Sequence, residues 1–188
     1  MSSKNSVFIT ILFSIAALWS CNNNDIKEKQ LAKIDSLISL IDTAGKNLAK
    51  INQDTVAKRF WTYQNTNKLV SEHYQKYRNE ENWNYVCAFQ EVRKPFKTMA
   101  FHYRGYLSDI DSSRKQLENL KHDVKEKLVD EKEFENYFNI EAKTVNELTF
   151  KINKQVDLVL RQFKNFDTVH PYLLKLLEKY PKDKSPNK

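Results

Sequence analysis

From Val129 to Phe166 the chain reads VDEKEFENYFNIEAKTVNELTFKINKQVDLVLRQFKNF. Its first residues supply every part of a helix start: Val129 and Phe134 as the halves of a hydrophobic staple, Asp130 as the N-cap, and Glu133 as the acid that reaches back to the cap. Behind that start, Phe138, Val145, Ile152, Val159 and Phe166 recur every seven residues, supported by Leu148, Val156 and Phe163. A period of seven on an α-helix is a single apolar seam. The stretch therefore predicts a helix from Glu131 to Phe166, about 54 Å long at 1.5 Å per residue.

The segment before it has the same habit. Phe89, Phe96, Tyr103, Ile110, Leu117 and Val124 are spaced seven apart through both Pro95 and Gly105. A proline inside a helix costs ~3 kcal/mol and kinks or ends it, but the unbroken phase favours one kinked helix over two unrelated ones. Two helices of matched length, Phe96 to Leu128 and Glu131 to Phe166, joined by a two-residue turn, are expected to run antiparallel.

Nearer the start, Asp25 and Glu28 form a D-x-x-E capping box, followed by a stripe at Ile34, Leu37, Ile41, Ala44, Leu48 and Ile51. The stripe jumps five places to Val56 and resumes through Phe60, Tyr63, Asn67, Val70, Tyr74 and Tyr77. Asn52 to Thr55 is thus a break or a stutter, with Asp54 placed to cap a new helix. Asn79 before Glu80 and Glu81 reads as another N-cap, opening a helix that carries Val86, Phe89 and Val92. After Phe166, Asp167 or Thr168 leads to His170 and Pro171, predicting a short last helix from Tyr172 to Tyr180 that Pro181 stops.

Composition agrees with helices. Two glycines, Gly45 and Gly105, cannot build a P-loop or a dinucleotide fingerprint, and hairpin-rich folds lean on glycine for positive φ. The expectation is an all-α protein: an elongated antiparallel helical bundle, or coiled-coil-like hairpins of long helices, with one helical domain over residues 25–180 and a disordered basic tail over 181–188. Narrow seams are satisfied either within one chain or by self-association, so a homo-oligomer stays open.

Residues 1–20 read differently. Lys4 precedes an apolar run from Val7 to Trp19, then Ser20 and Cys21. A spanning helix needs about 20 apolar residues, so this run is short, and charged, apolar and small-residue parts follow in the order of an export signal. The quartet Leu18, Trp19, Ser20, Cys21 resembles the lipobox of bacterial lipoproteins. The resemblance covers only the first 21 positions. It implies removal of residues 1–20, acylation of Cys21, a short tether over 21–24, and a membrane held through the acyl chains, durably where two or three are present. In that family an aspartate after the cysteine is the usual inner-membrane signal; Asn22 stands here, which implies the outer membrane, facing either the periplasm or the cell surface. An ordinary secretory signal and an uncleaved anchor are the alternatives.

The formal charge of +7 would suggest nucleic acid, but an exported protein meets little of it, and no nucleic-acid partner is expected. Residues 22–79 carry ten basic and six acidic side chains. Lys27, Lys29 and Lys33, just past Cys21, are either headgroup-facing or a solvated helix face. With Cys21 acylated, Cys87 has no disulfide partner and reads as a small core residue.

Motifs that carry chemistry are missing from the sequence. His73, His102, His122 and His170 stand too far apart for HExxH, ExxH or HxxxH, G-x-S-x-G cannot be written, and no metal or cofactor is expected. What stands out is Phe60 to Tyr106, which holds 12 of the 23 aromatic residues, interleaved with Arg59, Arg78, Arg93, Lys94, Lys97 and Arg104. Either these helices are central and covered on several sides, or Trp61, Tyr63, Trp83, Tyr85 and Arg93 form a surface for a ligand or partner. The sequence thus supports a lipid-anchored, non-enzymatic envelope protein acting as spacer, adaptor or complex subunit with a protein partner. The alternative is a lipoprotein that binds a glycan or amphipathic ligand around Trp61 and Trp83.

Overall fold

A computed structural model describes the backbone over residues 4–72 and 80–179 and the side chains over 25–72 and 82–179. Five helices carry these residues: α1 (Lys4–Leu48), α2 (Gln53–Glu72), α3 (Glu80–Glu91), α4 (Arg93–Lys125) and α5 (Glu131–Lys179). No strand occurs among the described residues, and the chain is an all-α bundle. The expected cap at Asn79, the aromatics Tyr74 and Tyr77, and the tail 181–188 lie outside the described residues.

The chain divides into two compact units, Met1–Asp42 with Asp111–Glu147, and Thr43–Ile110 with Leu148–Lys188. In the first, α1 and α4 run antiparallel, because their pairings climb one helix as they descend the other. Lys27 Nζ donates to the Lys125 carbonyl at 2.8 Å, Lys121 pairs with Asp35, and Arg114 pairs with Asp42. Lys33 reaches α5, donating to Glu135 at 2.6 Å with its ammonium 5.8 and 5.5 Å from the Phe134 and Phe138 rings. Lys27 and Lys33 are therefore spoken for by the protein itself, and of the three lysines past Cys21 Lys29 remains a solvated side chain. The bonds are modest, since exposed ion pairs contribute about 0–1 kcal/mol. Burial of Ile34, Leu37, Ile41, Leu117, Leu120, Val124, Phe134 and Val145 holds this unit, at roughly 1.5–3 kcal/mol per fully buried side chain.

Several helix ends differ from expectation. α1 runs unbroken through Asp25, so the D-x-x-E box opens no helix in the full chain. At the next break the cap is Asn52 rather than Asp54: Asn52 Oδ1 accepts the Thr55 N–H at 2.8 Å, and Asp54 falls in the first turn of α2. Near Pro95 the kinked helix is instead two helices parted at Val92. Pro95 lies in the first turn of α4, where its missing N–H has no helical acceptor to lose, and its ring excludes a helical carbonyl four residues back. The link between α4 and α5 is longer than two residues. α4 closes with Leu128 N–H on the Asp123 carbonyl (2.8 Å), Lys127 N–H on Val124 (3.3 Å) and Lys127 at φ 57°, a Schellman motif with lysine where glycine is usual. The start of α5 is as read: Asp130 Oδ1 accepts the Glu133 N–H at 2.8 Å, and Glu133 Oε2 accepts the Asp130 N–H at 3.1 Å.

The second unit contains residues 43–48 of α1, α2, α3, α4 to Ile110 and α5 from Leu148. α5 does not stop at Phe166, and no separate last helix opens at Asp167 or Thr168; α5 continues to Lys179 with Pro171 inside. Phe166, Val169, Leu173 and Leu176 are all buried across the proline, and that burial outweighs its ~3 kcal/mol cost. Pro171 and Asp167, whose carbonyl loses its helical donor, are both exposed, so water can serve it. Every buried apolar side chain among the described residues falls between Ile34 and Leu176, so loss of residues 1–20 would remove none of them.

Candidate functional site

The aromatic segment folds into the second unit, where the seam separates core from surface. Tyr63, read as part of a surface, is 3% exposed, as its place in the Val56, Phe60, Tyr63 stripe requires. Its ring is 5.0 Å from Phe89, and burial pushes its hydroxyl above the usual tyrosine range, against the opposing pull of Arg93. The imidazole of His170 lies against both Phe89 and Phe166, at 5.9 and 4.8 Å, and those two rings are 5.8 Å apart. Thr66 Oγ1 shares a 3.0 Å hydrogen bond with His170 Nε2, and burial holds His170 below its ordinary pKa. His170 thus sits mid-helix within an aromatic core.

Tyr85 is half-buried and stacks on Tyr172 at 3.8 Å. Tyr172 in turn donates its hydroxyl to Asn82 Oδ1 at 2.6 Å. Arg59 lies 4.3 Å over the Phe163 ring and pairs with Asp167 at 2.9 Å. These side chains position helices: α2 and α5 run parallel, from Arg59 with Phe163 to Thr66 with His170, and α3 opposes them. Cys87 is free and half-buried. Arg93 is exposed at the first residue of α4.

Trp61 and Trp83 both face solvent, at 58% and 41% exposure. The structure sets Trp61 beside a different neighbour. Phe60 is buried, and its ring lies 5.8 Å from Trp61 on α2 and 5.9 Å from Phe101 on α4. Phe101 is 62% exposed. Two large exposed aromatic side chains thus adjoin one buried ring. On α4, Lys94, Lys97, Phe101 and Arg104 are all exposed and fall at spacings of three, four and three, hence on one face. On α2, exposed Lys58 and Lys68 lie three before and seven after Trp61. No acidic residue occurs from Thr55 to Ser71 or from Val92 to Ser108. Phe101 was legible as an aromatic off the Phe96, Tyr103, Ile110 seam, but only the packing of α2 on α4 pairs it with Trp61.

The first unit offers one chemically unusual group. Burial raises the pKa of Glu141, and its Oε2 has no hydrogen-bond partner among the described residues. It lines a groove with Gln116, Asn119, Leu120, Asp123 and Tyr137. Among the described residues, no three His, Cys, Asp or Glu side chains are grouped to hold a metal ion, and no helix is long and apolar enough to cross a membrane. Cys21 lies within α1 at a position whose side chain is not described. No protein-family model, curated protein or solved structure matches the chain.

Proposed function

We propose that the chain is a lipid-anchored, non-enzymatic helical protein of the bacterial envelope, serving as spacer, adaptor or complex subunit at the outer membrane. The observation that carries this reading is the apolar run ending in Leu18, Trp19, Ser20, Cys21, followed by a helical core whose first buried apolar side chain among the described residues is Ile34. Removal of the first 20 residues and acylation of Cys21 would leave every described core side chain in the mature chain. Two or three acyl chains, at ~0.8 kcal/mol per buried CH₂, would hold the chain on a bilayer.

Feeding the native host an alkyne-tagged fatty acid tests this directly. The reading expects label on the protein and none on a Cys21→Ser variant, with the mature N-terminus at Cys21. Unlabelled protein retaining residues 1–20 would remove the anchor and the envelope assignment together.

A second reading, a glycan or amphipathic ligand at the tryptophans, is favoured by the exposure of Trp61 and Trp83. Quenching of their fluorescence by envelope glycans is the expected sign, lost in Trp61→Ala and Trp83→Ala; emission indifferent to them discards this reading.

A further inference from the structure

We infer that the Trp61–Phe101 face is a second membrane contact, seated on a lipid surface with acidic headgroups. It rests on the lipid-anchored reading for its compartment, though not for its chemistry. Both rings are more than half exposed while sharing the buried Phe60 as a floor, so the apolar surface is fixed in place and is not a side chain that could fold inward. Around it stand Lys58, Lys94, Lys97 and Arg104, all exposed. Among the described residues none of these four has an ion-pair partner, whereas Arg59, the neighbouring cation on α2, is already neutralised by Asp167.

Charge selects the class of occupant, and shape narrows it. A cationic face without a carboxylate in either helical stretch is complementary to an anionic surface. Small-ligand sites are concave, but here the aromatics project from the outer side of two packed helices. Trp at the water–lipid boundary with lysines reaching acidic headgroups is the pattern that lies on a bilayer. From Lys94 to Arg104 the α4 row spans about 15 Å, wide enough for several headgroups. The charges are also mostly lysine, a point charge suited to headgroups, where arginine would favour a bidentate protein or carboxylate partner.

Residues 22–188, which keep every described core side chain and carry no acyl chain, supply the test. In a Trp83→Phe background, Trp61 emission reports the face alone. The expected result is a blue shift and co-sedimentation with vesicles of phosphatidylglycerol, not of phosphatidylcholine, reversed by salt. Lys97→Glu with Arg104→Glu should weaken that partitioning by about twentyfold or more, and Trp61→Ala with Phe101→Ala by about tenfold, with helical circular dichroism unchanged because all four side chains are exposed. Equal binding to both lipids, binding that ignores these substitutions, or no binding at all overturns the inference. So does capture of an acidic polysaccharide such as polygalacturonate while vesicles are ignored. None of these outcomes depends on Cys21, so a failed docking face and a failed lipid anchor are told apart.

Discussion

Replacing His170 with phenylalanine tests the aromatic core of the second unit at its most sensitive point. The imidazole lies against the Phe89 and Phe166 rings and bonds Thr66, and burial lowers its pKa. At pH 7.5 the ring is neutral in folded and unfolded chains alike. As pH falls through the ordinary value of about 6.5 the unfolded chain takes up a proton that the folded chain resists, so stability falls with pH until the folded ring protonates too. Each pH unit over which only the unfolded chain binds that proton removes at most about 1.4 kcal/mol. For a domain of this size that is a fall in Tm of roughly 3–5 °C. His170→Phe cannot titrate; it forfeits the Thr66 bond, about 1 kcal/mol, but the pH-dependent part vanishes. Glu141 responds in the opposite sense, its raised pKa lending stability that is present below its unfolded value and lost as pH rises, and it contributes equally to both proteins. The assay is urea denaturation followed by circular dichroism at both pH values. An identical pH difference in the two proteins, or an NMR titration of His170 centred near 6.5, would refute the reasoning.

Other expectations follow from the helix ends and glycines. Asp130→Ala removes the N-cap of α5 and should cost about 1 kcal/mol; in a double-mutant cycle with Glu133→Ala the losses should fall short of additive, since the two side chains cap each other's N–H. Lys127→Gly should raise stability by about 1 kcal/mol, because lysine at φ 57° is strained where glycine is not, and an unchanged urea midpoint would speak against the Schellman closure. A Cβ added at Gly45 would meet Ile110 at 3.9 Å, ordinary van der Waals contact, so Gly45→Ala should stabilise α1 by about 0.5–1 kcal/mol. Destabilisation there would mean that α1 approaches Ile110 more closely than described.

The readable parts of this protein were those governed by local chemistry. The seams at Ile34 to Ile51, at Phe89 to Val124 and at Val145 to Phe166 were legible because a buried stripe repeats every 3.5 residues, and the Asp130–Glu133 box because its partners are three apart. Misread positions were decided by competition. Asp167 to Pro171 carries every local sign of a helix start, yet burial of Phe166, Val169, Leu173 and Leu176 keeps α5 continuous. Asn52 and Asp54 are both good caps, and only the backbone path of the turn chose Asn52.

For the candidate site the division is sharper. Sequence alone determined that aromatic and basic residues concentrate between Phe60 and Tyr106, that Cys21 ends a lipobox-like quartet, and that the chain is helical; composition and near-neighbour spacing are properties of a single strand of residues. It could not say which aromatics share a surface. Bringing Phe101 to the Phe60 ring that Trp61 also adjoins, burying Tyr63 on Phe89, and spending Lys27, Lys33 and Arg59 on internal partners all depend on side chains more than 25 positions apart. Such pairings arise only when helices pack, because the apolar face that packs is chosen by the whole core and not by any one segment.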